Sequence, residues 1–226
     1  MSVKENLAHI KANIKKASLR VNRSEDEINI IAVTKYVSIP RAKEAVVAGV
    51  QHLGENRDVE FTNKWDELKG DGLSWHFIGS LQTRKVKNVI DKIDYLHSLD
   101  RISLAEEIEK RANKIVHCFV QVNISEEESK HGIQRDKAIS FISQLEQYSK
   151  IKVVGLMTMA PYTENEELVR NCFKELKNLQ QGVQALQLEN APCKELSMGM
   201  SNDYMIAVEE GATFIRIGSA LVGNDK

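Results

Sequence analysis

Eight times along this chain a short apolar run gives way to a longer segment with helical spacing, and that alternation limits the fold more than any single motif does. The runs fall at 28–36, 52–55, 74–79, 95–99, 116–123, 152–157, 195–199 and 214–218. Between them, apolar residues recur three and four positions apart. Leu104, Ile108 and Ala112 share one face, Phe141, Ile142, Leu145 and Tyr148 another, and Leu168, Cys172, Phe173, Leu176 and Leu179 are expected to point inward from a long helix. Helix starts are marked by Ser38 ahead of Pro40 and by capping-box spacing at Ser103/Glu106 and Thr163/Glu166. Strands alternating with helices make a parallel sheet, and eight repeats predict a closed (β/α)8 TIM barrel, since an open doubly wound sheet normally uses fewer. Val3, Leu7, Ile10 and Ile14 add an amphipathic helix before the first strand, expected to lie on the barrel as a lid or cap.

At 226 residues the chain has the length of one barrel, and residues 1–226 are expected to form a single domain. Its 42% hydrophobic content suffices for a core, while 31 basic against 32 acidic residues leave a net charge of -1 and no basic patch for nucleic acid. Cys118, Cys172 and Cys193 match neither a zinc pattern nor a disulfide framework; they read as packing residues in a reducing compartment, with no metal site. The N-terminus lacks the apolar core of a signal peptide and no run reaches membrane-span length, so a cytoplasmic protein with no membrane partner is expected.

In such a barrel ligands sit at the carboxyl ends of the strands. The polar residues placed there are Lys35 on the first, Glu55 and Asn56 on the second, and Asn123 on the fifth. His76 lies within the third strand, Met157 and Thr158 close the sixth, 197–203 the seventh, and Arg216, Gly218 and Ser219 the eighth. An amine at the edge of an apolar strand tends to lose its proton and become a nucleophile of the Schiff-base kind. Equally, Lys35 could simply mark the end of a strand and snorkel into water. Ser201 opens a helix, and Gly218-Ser219 follows the last strand, where barrels commonly hold a phosphate. Either alone also reads as a plain cap or turn. Together with Lys35 they describe a ligand with a phosphate at one end and an aldehyde at the other, which is pyridoxal 5′-phosphate (PLP).

Six segments in order, Ala32-Val-Thr-Lys-Tyr36, Gly54-Glu-Asn56, Trp75-His-Phe-Ile-Gly79 with Gln82 and Lys85, Gly155-Leu-Met-Thr-Met159, Leu196-Ser-Met-Gly-Met-Ser201 and Arg216-Ile-Gly218, carry a resemblance across nearly the whole chain. The sequence resembles the pyridoxal phosphate homeostasis family, which in turn resembles the barrel domain of alanine racemase. The resemblance implies a fold-type III PLP-binding barrel. It also implies that Lys35 holds PLP as an internal aldimine, that Ser201, Gly218 and Ser219 hold its phosphate, and that Arg216 faces the pyridine nitrogen. Asn56, His76 and Met157 are further pocket candidates.

An arginine opposite the pyridine nitrogen makes a poorer electron sink than a carboxylate does, which disfavours strong carbanion chemistry. Racemases of this fold add a second domain with a second base, and this chain is expected to lack room for one. Tyr36, Tyr162 and Tyr204 are the candidate replacements, but each reads more simply as a packing or pocket-wall aromatic. A PLP carrier that serves apoenzymes is therefore expected, with no catalytic residues and as a monomer. A weak racemase or other PLP enzyme is the rival, and a phosphosugar-binding barrel without an aldimine a third reading. The polar loop 125–132 follows the fifth strand on the ligand side and should be mobile; its Lys130 reads first as a solvated loop lysine, and alternatively as a group that approaches bound PLP and helps it leave.

Overall fold

The structure, a computed structural model, describes residues 2–70, 72–127 and 131–223. Its strands are β1 (Asn29–Val33), β2 (His52–Glu55), β3 (Ser74–Phe77), β4 (Tyr95–Leu99), β5 (Val116–Asn123), β6 (Ile151–Met157), β7 (Glu195–Met200) and β8 (Phe214–Ile217). All neighbouring pairs run parallel; β1 pairs with both β2 and β8, and the β4–β5 pairing completes the ring. The result is the closed eight-stranded barrel that the alternation predicts. A two-residue strand, Ile133–Gln134, is appended to the end of β5.

The helices are α1 (Val3–Arg20), α2 (Ile39–Val47), α3 (Asp58–Leu68), α4 (Val86–Val89), α5 (Ile102–Arg111), α6 (Ala138–Gln144), α7 (Glu166–Ala185), α8 (Tyr204–Glu209) and α9 (Ser219–Val222). Helix α1 is not a lid. It buries Val3, Leu7, Ile10 and Ile14 while packing on α2, α8 and α9, and so takes a place in the outer ring where four-residue α9 is too short to cover the last strand. Polar contacts fix it: Asn6 Nδ2 donates to the Leu221 carbonyl at 2.9 Å, and Arg20 pairs with Glu209 at 2.9 Å.

Several helix starts differ from the sequence reading. Ser38 caps α2 as expected, its Oγ accepting from the Arg41 amide at 3.3 Å with Pro40 in the first turn. Arg101, not Ser103, occupies the N-cap of α5, so no capping box forms there. At α7 the cap is Asn165, whose Oδ1 accepts from the Glu167 and Leu168 amides, while Thr163 Oγ1 accepts only from Asn165 itself. Leu168, expected inward, faces outward at 53% exposure, and Val169 is buried with Cys172, Phe173 and Leu176. The three cysteines are buried and form no disulfide, and burial raises the thiol pKa of Cys118 and Cys193. Among the described residues no helix is long and apolar enough to cross a membrane, and no cluster of His, Cys, Asp and Glu could hold a metal. Lys130 lies outside the described residues.

Candidate functional site

Strand β1 ends its ladder at Val33, and Lys35 sits two residues on, at the second position of a turn closed by the Val37 amide donating to the Thr34 carbonyl at 3.1 Å. Its side chain is half-buried, with Nζ 4.8 Å from the centre of the Tyr36 ring. Because β1 and β8 are neighbours, this turn lies beside the loop after β8. Val33, Lys35, Tyr36, Val37, Gly218, Ser219 and Gly223 line one cavity of about 210 Å³. Ser201 approaches from the next strand, its Oγ accepting from the Ala220 amide at 3.4 Å. Gly199 makes that approach possible: at φ 93° it turns β7 where an added Cβ would lie 2.6 Å from Ala207 Cβ. Lys35, Gly218 and Ser219 thus share one cavity, with Ser201 beside it. Among the described residues no carboxylate lines this cavity.

The remaining candidates stand elsewhere. Asn56 follows β2, half-buried, with its backbone pressed against Gly79. Met157 is buried inside the barrel with Ile31, Phe119 and Phe214. His76 is fully buried in the barrel interior rather than on the Lys35 cavity. It belongs to a file of polar groups that sequence reasoning missed. His52 Nδ1 lies 3.0 Å from His76 Nε2, His76 Nδ1 2.9 Å from His97 Nε2, and His97 Nδ1 2.8 Å from Ser197 Oγ. Arg216 ends the file, donating to Ser197 Oγ at 2.7 Å and to the Thr158 carbonyl at 2.9 Å. Tyr95 stacks on His76 and Phe119 on His97. A guanidinium has no acceptor, and its charge favours lone pairs turned toward it, so the Ser197 proton goes to His97 and each imidazole donates onward to the next. One signal was available: His52, His76, His97 and His117 fall on four successive strands.

Burial holds His76 and His97 well below the usual imidazole pKa, reinforced for His97 by Arg216. Burial also pushes Arg216 down to about 10, opposed by the carboxylate of Asp203, and the guanidinium stays charged at neutral pH. Asp203 accepts from the Met200 amide at 2.5 Å. A second group lies under Lys35, where Glu55, marked in the sequence as a strand-end residue, is buried together with Lys64, which was not. Of the three tyrosines, Tyr36 walls the cavity at 64% exposure. Tyr162 stands 94% exposed on a neighbouring groove, contrary to a packing role, and Tyr204 is buried with its hydroxyl accepting from Asn13.

Residues 6–226 match the family described as alanine racemase, N-terminal domain. The chain is 41% identical to the pyridoxal phosphate homeostasis protein of Aquifex aeolicus over 100% of both sequences. It is 33% identical to that of Escherichia coli K12 over 98% of this chain and 96% of the relative. PipY of Synechococcus elongatus, in its structure with PLP bound, superposes with a TM-score of 0.83 at 31% identity, covering 98% of this chain and 100% of PipY. Alanine racemase from Corynebacterium glutamicum shares the fold alone, at a TM-score of 0.75 and 13% identity over 98% of this chain and 62% of the racemase. With a family match along almost its entire length and full-length relatives above 30% identity, the chain belongs to the pyridoxal phosphate homeostasis family.

Proposed function

We propose that this chain binds PLP covalently through Lys35 and passes it to apoenzymes, rather than turning over amino acids. The observation that carries the reading is the single cavity that joins Lys35 to Gly218 and Ser219, with Ser201 at its edge. Its donor set is one amine with hydroxyls and backbone amides and, among the described residues, no lining carboxylate, which fits an aldehyde and a phosphate. Bound PLP would supply a carbonyl carbon to the amine and an electron-withdrawing ring. Lys35 Nζ would be the nucleophile that holds the aldehyde carbon, with one water lost on attachment and regained on release, while Ser201, Gly218 and Ser219 would hold the phosphate. Arg216, charged and anchored on Ser197 and Thr158, is buried and does not line the cavity itself; it would be the cation that faces the ring nitrogen if the ring reaches inward. Relatives named for PLP homeostasis, and the PLP-bound PipY structure, support the same ligand.

Against racemisation, none of the three tyrosine hydroxyls is hydrogen-bonded to Lys35, which meets Tyr36 only through its ring face. Tyr36 and Tyr162 are largely exposed, and the Tyr204 hydroxyl is engaged with Asn13 beneath α1. A positioned second base typically contributes roughly 10²- to 10⁴-fold. Borohydride reduction of the PLP-loaded protein followed by peptide mass spectrometry should place a pyridoxyl group on Lys35, and the same preparation should activate a PLP-dependent apoenzyme. Solvent-deuterium exchange at the α-carbon of alanine should be slow. A label on another residue would refute the attachment, and racemisation at enzymatic rates that Lys35→Ala abolishes would refute the carrier reading.

A further inference from the structure

Directly under the Lys35 turn the protein buries an ion pair that the cavity does not use. Lys64 Nζ, from α3, lies 2.8 Å from Glu55 Oε1 at the end of β2, with side-chain exposures of 6% and 0%. Both grip the same residue. Lys64 Nζ donates to the Thr34 carbonyl at 2.5 Å, and Thr34 Oγ1 donates to Glu55 Oε1 at 2.5 Å. The Thr34 amide is held in turn by the Gly54 carbonyl at 3.0 Å, and the Thr34 carbonyl also accepts from Val37 to close the turn. Every polar group of Thr34 is therefore committed, and Lys35 follows it directly. The second Glu55 oxygen, Oε2, is buried with no hydrogen-bond partner among the described residues. An ion pair so placed is a poor way to gain stability, since desolvating two charges offsets most of their attraction. What it supplies is a fixed point two strands wide, set one residue before the reactive amine.

We propose that Glu55 and Lys64 are positioning residues for Lys35: by clamping Thr34 they hold the turn so that Nζ meets the carbonyl carbon while the phosphate rests on the loop after β8. The inference rests on the reading of Lys35 as the attachment residue. Orienting a nucleophile in advance raises its effective molarity, and a displacement of about 1 Å can cost 100-fold in reactivity. The clamp touches the turn after β1 and not the loop after β8, so its loss should weaken the covalent bond and spare phosphate recognition.

The test separates those two. The wild-type chain is first labelled by reduction. A label away from Lys35 overturns the attachment reading, and this inference with it, before any variant is compared. With Lys35 labelled, binding of PLP is followed by its visible absorbance, and binding of pyridoxamine 5′-phosphate, which has the ring and phosphate without an aldehyde, by fluorescence. In E55Q/K64M, which removes both charges at similar volume, the PLP constant should fall by about 10-fold or more while the pyridoxamine phosphate constant stays within about twofold. Thr34→Val keeps the ion pair and removes only the hydroxyl. It should show the same split to a smaller extent, and it covers the case in which the double variant fails to fold. Unchanged PLP binding in these variants, or an equal loss for both compounds, overturns the positioning role.

Discussion

Beneath Lys35 the barrel buries two opposite charges, whereas beneath Arg216 it lines up three neutral imidazoles, two of them fully buried and one half-buried, and a buried hydroxyl. The first cluster, Glu55 and Lys64, is compact and converges on the carbonyl and hydroxyl of one residue, Thr34. The second is a file: His52, His76 and His97 each come from a different strand, and the hydrogen bonds run from Arg216 to Ser197 and on through His97 and His76 to His52. A point clamp needs the strength of charge-assisted bonds, because a single backbone group must be held against the pull of a turn. A file needs only that every junction carries one proton, which neutral imidazoles satisfy and charged ones do not. The difference makes the two networks fail in different ways. Breaking the pair strands a charge, while disturbing the file strands a donor or a lone pair.

The largest effect should come from stranding that charge. Lys64→Met leaves the Glu55 carboxylate, fully buried and with one oxygen already unpartnered, in a site that cannot solvate it. A loss of about 3–5 kcal/mol in unfolding free energy is expected from urea titration. E55Q/K64M should recover most of that loss, because replacing a buried ion pair by neutral groups of similar volume is often close to neutral. A single variant as stable as the wild type would mean that water reaches the carboxylate, and the contrast with the histidine file would collapse.

Ser197→Ala should cost less, about 1.5–3 kcal/mol, the range for a hydrogen bond to a charged group. It removes one of the two anchors of Arg216 and leaves the Thr158 carbonyl as the other, so the guanidinium keeps a partner. Urea titration of this variant beside Lys64→Met gives the order directly. A cost above that of Lys64→Met would place the dominant buried charge under Arg216 instead.

Neither network was legible in the sequence to the same degree as the cavity above them. Lys35, Ser201, Gly218 and Ser219 sit just beyond strand ends, and in a closed barrel all strand ends face one mouth, so position along the chain was enough to unite them. Lys64 carries no such mark: it lies on a helix with Phe61, and only the packing of α3 on β2 reveals that it turns inward. His97 lies mid-strand, and its meeting with His76 depends on which residues of adjacent strands share the inner face, a register that one-residue shifts would reverse. Apolar spacing left a similar choice in the first turn of α7, where Val169 and not Leu168 is buried. Eight apolar runs, by contrast, survive errors of two residues at each end, and the barrel did not depend on them.

The smallest effect distinguishes the networks by pH. His76 and His97 are kept neutral in the folded chain by burial, far below the value near 6.5 that imidazoles have when unfolded. Below that pH the unfolded chain therefore binds more protons than the folded one, and stability must fall as the pH falls. For each histidine that stays neutral, lowering the pH from about 7.5 to about 5.5 removes roughly 1.4 kcal/mol. The geometry gives the reason for the folded state's resistance: a further proton on His52 Nδ1 or His76 Nδ1 sets two N–H groups face to face across a gap of about 3 Å, and one on His97 Nδ1 meets the hydroxyl proton of Ser197. His76→Gln keeps a donor and an acceptor but removes one titrating ring, so the stability difference between the two pH values should shrink by about 1.4 kcal/mol. E55Q/K64M leaves the rings in place and should retain the wild-type difference. Urea midpoints of the three proteins at both pH values make the measurement, with carboxylate titration common to all. An undiminished difference in His76→Gln would show that His76 accepts a proton in the folded chain, and the neutral file would have to be abandoned.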